Sequence, residues 1–128
     1  MPTPNFVSKS MVLSIHARQI ERFGGTPGVR DEGLLKSTLA QPQATFGGQF
    51  LHPTISEQAA AYLYHIGMNH PFIDGNKRTA FAVMDTFLRL NGCALNLTDD
   101  RAYDLVMRVA RGTMTKEELS TEFESCIV

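Results

Sequence analysis

Apolar residues recur at helical spacing along most of the chain, and glycine and proline residues interrupt them. Residues Ser10–Phe23 show the three-to-four-residue period of a helix that buries one face. Gly24 and Gly25 follow, and glycine commonly ends helices because it adopts left-handed conformations without strain. A second helix is predicted over Arg30–Gln41, since the next residue, Pro42, cannot continue it comfortably.

The remaining pattern predicts four more helices, over residues Thr54–Met68, Asn76–Asn91, Asp99–Arg111 and Thr115–Glu124. Thr54 with Glu57, and Thr115 with Glu118, have the spacing of a capping box, in which side chains bind the free amides of the first turn. Residues Ala94–Leu97 are predicted to form a short extended segment. The secondary structure after residue 53 is therefore expected to be mainly helical.

The helix that begins at Asn76 has few polar positions. Between Ala80 and Leu90 only Asp85, Thr86 and Arg89 are polar. A helix that is apolar on most of its faces is usually buried at the centre of a domain. The sequence therefore predicts an all-α fold, one domain over residues 1–128, with this helix as its buried centre.

The segment Thr45–Pro53 has a different pattern. Phe46, Phe50 and Leu51 flank the pair Gly47-Gly48, which is typical of a short hairpin-like flap. A mobile loop is the alternative interpretation, because a glycine pair between aromatic residues fits that as well.

Composition limits the class of protein. The chain has 128 residues, 43% of them hydrophobic, which is enough to form a core without disulfides or metal ions. The net charge of −1 argues against a general nucleic-acid-binding protein. Two cysteines without framework spacing, no signal peptide and no apolar run of membrane-spanning length predict a cytoplasmic protein.

The segment from His70 to Arg78 combines several chemical groups at a predicted helix start. The first turn of a helix has free amides that bind phosphate, and Gly75 would let a phosphate approach closely. Lys77 and Arg78 add positive charge. Asp74 is suited to Mg²⁺, which prefers carboxylate and phosphate oxygens, and His70 is suited to accept a proton from a hydroxyl.

A purely structural interpretation of the same segment stays open on these residues alone. Asp74 would then be only a helix cap, and Lys77 and Arg78 only a solvated first turn. Elsewhere, His16 lies among apolar residues and is predicted to be a buried structural histidine. Arg30, like Arg22, flanks the glycine turn; both are predicted to be solvated or to reach the phosphate site.

The segment His70–Arg78 reads HPFIDGNKR and resembles the signature of the Fic/Doc family, H-x-F-x-(D/E)-(A/G)-N-(K/G)-R, at every specified position. The similarity extends to Arg22–Gly25, to Pro27–Asp31 with Leu34, and to Asn91-Gly92, which resemble parts of death-on-curing (Doc) toxins. It covers nearly the whole chain. The resemblance implies the compact helical Fic/Doc fold.

The resemblance also implies a role for each site residue. His70 would be the general base, and Asp74 would bind Mg²⁺ or orient the site. Gly75 and Asn76 would form the anion hole, and Lys77 and Arg78 would bind the phosphates of ATP. The flap, consisting of Gly47, Gly48, Gln49, Phe50 and Leu51, would align the target peptide as an added strand.

Two positions indicate the branch of the family. Fic enzymes that transfer AMP typically carry Gly-Asn-Gly-Arg-x-x-Arg, whereas this chain has Lys77 and Phe81 at the second glycine and the last arginine. Both departures match the Doc branch, which implies a toxin that transfers the ATP γ-phosphate to a threonine of elongation factor Tu and is restrained by an antitoxin. The alternatives are a protein AMP transferase and a binding module without catalytic activity.

Overall fold

Six helices and one hairpin make up residues 3–128, the part of the chain that the computed structural model describes. The elements in chain order are α1 Lys9–Phe23, α2 Glu32–Ala40, β1 Thr45–Phe46, β2 Gln49–Phe50, α3 Ile55–Asn69, α4 Asn76–Leu90, α5 Asp99–Ala110 and α6 Lys116–Cys126. Each predicted helix is present, and the all-α prediction is confirmed. None of the helices described is long and apolar enough to cross a membrane.

Polar side chains begin five of the six helices, at Ser8, Asp31, Thr54, Thr98 and Thr115. Thr115 and Glu118 form the complete capping box that was predicted. Thr54 forms only half of one, because the carboxylate of Glu57 accepts from the Thr54 hydroxyl rather than from its amide. The exception is α4, where Gly75 is the cap and no side chain binds the first-turn amides.

The buried centre of the fold is α3 rather than α4. Nine residues of α3 are buried, and the helix packs against α2, α4, α5 and α6. The small side chains of the run Ala59–Ala61 allow these neighbours to approach closely. The prediction that α4 occupies the centre is wrong because the apolar residues of α4 serve two surfaces. Val83 and Phe87 face the core, whereas Phe81 and Ala82 line an open cleft.

The predicted hairpin is confirmed. Thr45 pairs with Phe50 and Phe46 with Gln49, and the turn residues Gly47 and Gly48 both have positive φ, of 59° and 81°. Two positive φ values are what a two-residue hairpin turn of type I′ requires, and glycine adopts them without strain. The hairpin is attached to the body by the ring of Phe50, which packs edge-on against that of Phe6 with 5.7 Å between ring centres.

The C-terminus returns to the end of α4. Leu95 and Ile127 form an antiparallel bridge. Ala94 and Val128 exchange two backbone hydrogen bonds, in which the amide of each donates to the carbonyl of the other. This bridge confirms the predicted extended segment at Ala94–Leu97, and it joins the segment before α5 to the residues after α6.

Candidate active site

The loop between α3 and α4 is held by a short antiparallel ribbon. Val29 forms a bridge with Phe72, the amide of Arg30 donates to the Pro71 carbonyl at 2.8 Å, and the Ile73 amide donates to Gly28 at 3.1 Å. This pairing explains why α2 begins at Glu32 rather than at Arg30 as predicted: Arg30 belongs to the ribbon, and Asp31 caps the helix.

His16 supports the same loop from α1. The residue is 4% exposed, and its ring stacks on Phe72 with 3.8 Å between ring centres and 7° between planes. His16 Nε2 lies 2.8 Å from the carbonyl oxygen of Asp74. Because a carbonyl can only accept, Nε2 must carry the hydrogen. The prediction of a buried structural histidine is confirmed, and the contact joins α1 directly to the predicted site.

His70 caps the C-terminal end of α3 in the left-handed conformation, with φ 50° and ψ 58°. It is the only non-glycine residue with positive φ within residues 3–128. This conformation costs a non-glycine residue roughly 1–2 kcal/mol. Arg30 binds the chain here, because its Nε donates to the His70 carbonyl at 2.7 Å and its Nη2 to the Asn69 carbonyl at 2.8 Å. Arg30 therefore neither reaches the phosphate site nor is merely solvated.

The side chain of Asn76 binds the loop from the other end. Its Oδ1 accepts from the Phe72 amide at 2.9 Å, and its Nδ2 donates to the Phe72 carbonyl at 3.0 Å. The side chain is thus engaged with the main chain, so that only its backbone amide is available for the predicted anion hole. Among residues 3–128, the amides of Asn76, Lys77 and Arg78 have no hydrogen-bond acceptor, as expected at an uncapped helix start.

The Asp74 carboxylate is exposed and ionised. Its Oδ1 accepts from the Gly75 amide at 2.8 Å and its Oδ2 from the Thr26 amide at 3.2 Å. These two bonds, with smaller contributions from Arg78 and His16, lower the pKa of Asp74 below its usual range. The alternative that Asp74 is the cap of α4 is excluded, because Gly75 holds that position.

The same carboxylate fits a magnesium ion. Each oxygen accepts one hydrogen bond and keeps further lone pairs toward solvent. No group of three potential protein ligands lies together anywhere in residues 3–128. Asp74 alone would therefore hold Mg²⁺, with phosphate and water oxygens completing its coordination, which is a common arrangement for this ion.

Gly25 is a site residue that the sequence indicated only as a helix stop. A Cβ atom at this position would lie 2.7 Å from Asp74 Oδ2, and the φ of Gly25 is +118°. The close approach lets the glycine turn surround the carboxylate and brings the Thr26 amide to it. Only the packing of the turn against the loop, 48 residues later in the chain, shows this constraint.

Three cationic side chains lie beside the start of α4. Arg78 Nη2 donates to the Gly24 carbonyl at 2.9 Å, and its guanidinium lies 5.4 Å from the ring centre of Phe23. Arg22 lies 5.3 Å from the same ring centre. The aromatic ring attracts both cations, so that it supports the two guanidinium groups at the edge of the site. Lys77 is exposed one residue before Arg78.

A cleft of about 1000 Å³ contains all six predicted catalytic and phosphate-binding residues, His70, Asp74, Gly75, Asn76, Lys77 and Arg78. One face of α5 forms a further wall, which sequence reasoning missed, from Asp99, Ala102, Tyr103, Val106 and Met107. The helical spacing of these five residues was the available signal. No flap residue described in the structure lines the cleft, so the aligning role of Gly47–Leu51 stays a prediction.

Comparison with known proteins gives concordant matches. The sequence model of the Fic/DOC family matches residues 6–88, which include the whole segment from His70 to Arg78. "Toxin Doc" of Mycolicibacterium smegmatis is 43% identical over 102 residues, 78% of each chain. "Protein kinase doc" of Escherichia phage P1 is 31% identical over 109 residues, 85% of each chain.

Proposed function

Since the chain belongs to the Fic/DOC family, we propose that it is the toxin of a toxin–antitoxin system and a Doc-type protein kinase. It transfers the γ-phosphate of ATP to a serine or threonine hydroxyl of a translation factor, with elongation factor Tu as the proposed target. Modification of that factor would block translation in the cytoplasm. The printed names of the two relatives, a toxin and a protein kinase, support the toxin and kinase parts of this proposal.

One observation carries the proposal. An exposed histidine, an ionised carboxylate and a helix start with unbound amides line one cleft, together with the cationic side chains of Arg22, Lys77 and Arg78. These are a proton acceptor, a ligand for a phosphate-bound cation and an anion-binding site. Phosphoryl transfer needs little besides such positioning and charge stabilisation.

Each residue has a definite task in this reaction. His70 accepts the proton of the target hydroxyl as its oxygen bonds to the γ-phosphorus, while the bond to the β–γ bridging oxygen breaks and ADP leaves. The amides of Asn76 and Lys77 at the positive end of α4 stabilise the charge on the γ-phosphate oxygens. Asp74 would hold Mg²⁺, and the bound ion would supply positive charge that neutralises the phosphates. Lys77 and Arg78 bind the remaining phosphate oxygens.

The choice of γ-phosphoryl over AMP transfer rests on two side chains in the cleft. Lys77 adds charge and bulk at the helix start, where AMP-transferring relatives have a glycine. Phe81 places an aromatic ring in the cleft wall where those relatives have a phosphate-binding arginine. Both changes favour a terminal phosphate, rather than the α-phosphate, at the anion-binding amides.

Restraint by a separate antitoxin fits the sequence of the chain itself. The inhibitory motif (S/T)-x-x-x-E-(G/N) is not complete here, since Ser120, Glu124 and Ser125 match all but its last position. We therefore expect expression of the active chain alone to arrest growth, and co-expression of the antitoxin to relieve the arrest. Harmless expression at high level would contradict this part of the proposal.

Two parallel labelling reactions test the chemistry. The protein is incubated with Mg²⁺, elongation factor Tu and fresh cell extract, and ATP carries the label at the α position in one reaction and at the γ position in the other. Label transferred only from the γ position supports the kinase. Transfer from the α position would instead identify an AMP transferase, and transfer from neither would favour a binding module without catalytic activity.

A further inference from the structure

The exposed side chain of Arg30 reaches the end of α3 and binds two consecutive carbonyls, at Asn69 and His70. Arg30 is 39 and 40 residues away from them in the sequence. It is not among the residues that line the cleft, so its guanidinium is not placed to bind the phosphates of a nucleotide there.

The two carbonyls are suited to this contact. The last carbonyls of a helix have no donor within the helix, and they carry the negative end of its dipole. A guanidinium offers several N–H groups in one rigid plane, so it binds two neighbouring oxygens at once, which an ammonium group does less well. The bond lengths of 2.7 and 2.8 Å are typical of charge-assisted hydrogen bonds.

The contact acts on the one non-glycine residue of the loop that has a positive φ. The main chain from Pro71 to Ile73 is already held by the ribbon with residues 28–31, and that of Asn69 belongs to α3. His70 lies between these two supports in the left-handed conformation. The bond from Arg30 Nε fixes its carbonyl, and thereby fixes the direction in which the imidazole leaves the main chain.

We propose that Arg30 is a positioning residue that holds His70 in the orientation required to accept the proton of the target hydroxyl. The inference rests on the proposed function of His70, and it assigns a role in catalysis to a residue outside the cleft. Arg30 itself touches neither the nucleotide nor the reacting atoms. Its backbone amide, which binds Pro71, is unaffected by substitution of the side chain.

Three variants test this role in the γ-phosphate transfer assay. Arg30→Met keeps the aliphatic stem and removes every donor, Arg30→Lys keeps the charge but not the planar fork, and Arg18→Met removes an exposed arginine of α1 outside the cleft. Misplacement of a reacting group by about 1 Å costs on the order of a hundredfold in rate. We therefore expect kcat to fall roughly tenfold to a hundredfold in Arg30→Met and less in Arg30→Lys.

The Arg18→Met control should retain wild-type kcat, and the KM for ATP should be unchanged in all three variants. A residue with a merely structural role would instead lower the folded fraction and leave the kcat of the folded molecules intact. Wild-type kcat in Arg30→Met, or a rise in the KM for ATP without a fall in kcat, would overturn the proposal.

A second measurement keeps the inference independent of the assigned reaction. The ¹³Cα chemical shift of His70 reports its left-handed backbone, and hydrogen exchange of the His70 amide reports its bond to Ile66. Arg30→Met should change both signals, while Arg18→Met should change neither. If the wild type transfers no phosphate, the proposed function fails, but these signals still show whether Arg30 holds the backbone of His70. Unchanged signals in Arg30→Met would refute the positioning role of Arg30.

Discussion

Replacement of Asn76 by alanine should show whether this side chain positions the catalytic loop or only stabilises the fold. The side-chain amide of Asn76 makes two hydrogen bonds with the main chain of Phe72, one as acceptor and one as donor. Alanine removes both without adding bulk or charge. The loop that they hold carries His70 and Asp74, and therefore both of the predicted catalytic groups.

The magnitude follows from the number of bonds lost. Each contributes a net of about 0.5–1.5 kcal/mol, so the free energy of unfolding should fall by roughly 1–3 kcal/mol. For a domain of this size, each kcal/mol lowers Tm by roughly 3–6 °C. The folded protein at 20 °C should lose on the order of a hundredfold in kcat, because the displaced loop no longer places its two groups within reach of the substrate.

Asn91→Ala is the matched control. Asn91 makes three hydrogen bonds, two to Asn5 and one to the Phe87 carbonyl, at the other end of α4. It lies roughly 22 Å from Asn76 along the helix, at a rise of about 1.5 Å per residue. Asn91→Ala should therefore lose at least as much free energy of unfolding as Asn76→Ala, while its kcat stays near that of the wild type.

The assay combines thermal unfolding with γ-phosphate transfer at 20 °C, where both variants should still be folded. Both variants should lose a comparable amount of Tm, and only Asn76→Ala should show a large loss of kcat. Equal kcat values in the two variants, with both shown to be folded, would refute the idea that the Asn76 side chain positions the catalytic loop.

Four further predictions concern the cleft. His70→Ala should abolish transfer while Tm and helix content stay unchanged, and wild-type activity in this variant would remove the general-base role. Gly25→Ala should raise the Mg²⁺ concentration for half-maximal activity, because the new Cβ atom would lie 2.7 Å from Asp74 Oδ2. Gly24→Ala is the control and should leave that concentration unchanged, because Gly24 also has a positive φ, of 82°, but a Cβ atom there would have nothing within 4 Å. The lowered pKa of Asp74 means that its carboxylate stabilises the fold above pH about 4, and this contribution disappears as the pH falls through the folded-state pKa. Denaturant titrations of Asp74→Asn should therefore show a weaker pH dependence below pH 4 than wild type, and equal slopes would contradict the assignment. Tyr103→Ala should raise the KM for ATP several-fold without changing inhibition by tripolyphosphate, if the α5 wall contacts the nucleoside; an unchanged KM would exclude that contact.

Local sequence patterns determined the helices and the main site segment. Capping residues such as Thr115, the glycine pair after Phe23 and the helical period act over a few residues, so they can be read without knowledge of the fold. The segment from His70 to Arg78 is contiguous, and its residues share one cleft because a single loop and helix start carry them. The hairpin was predictable for the same reason, since its turn needs only two adjacent glycines.

Tertiary packing decided which residues support that segment. Arg30 at the His70 carbonyl, His16 at the Asp74 carbonyl and Gly25 against the Asp74 carboxylate are contacts between residues about 40 to 60 positions apart. No local pattern specifies such a contact, because it depends on how α1 and the ribbon pack against α4. The same holds for α4, which has apolar residues both on the side that faces the core and on the side that lines the cleft. Only the position of α5 decides which of these residues stay open to a ligand.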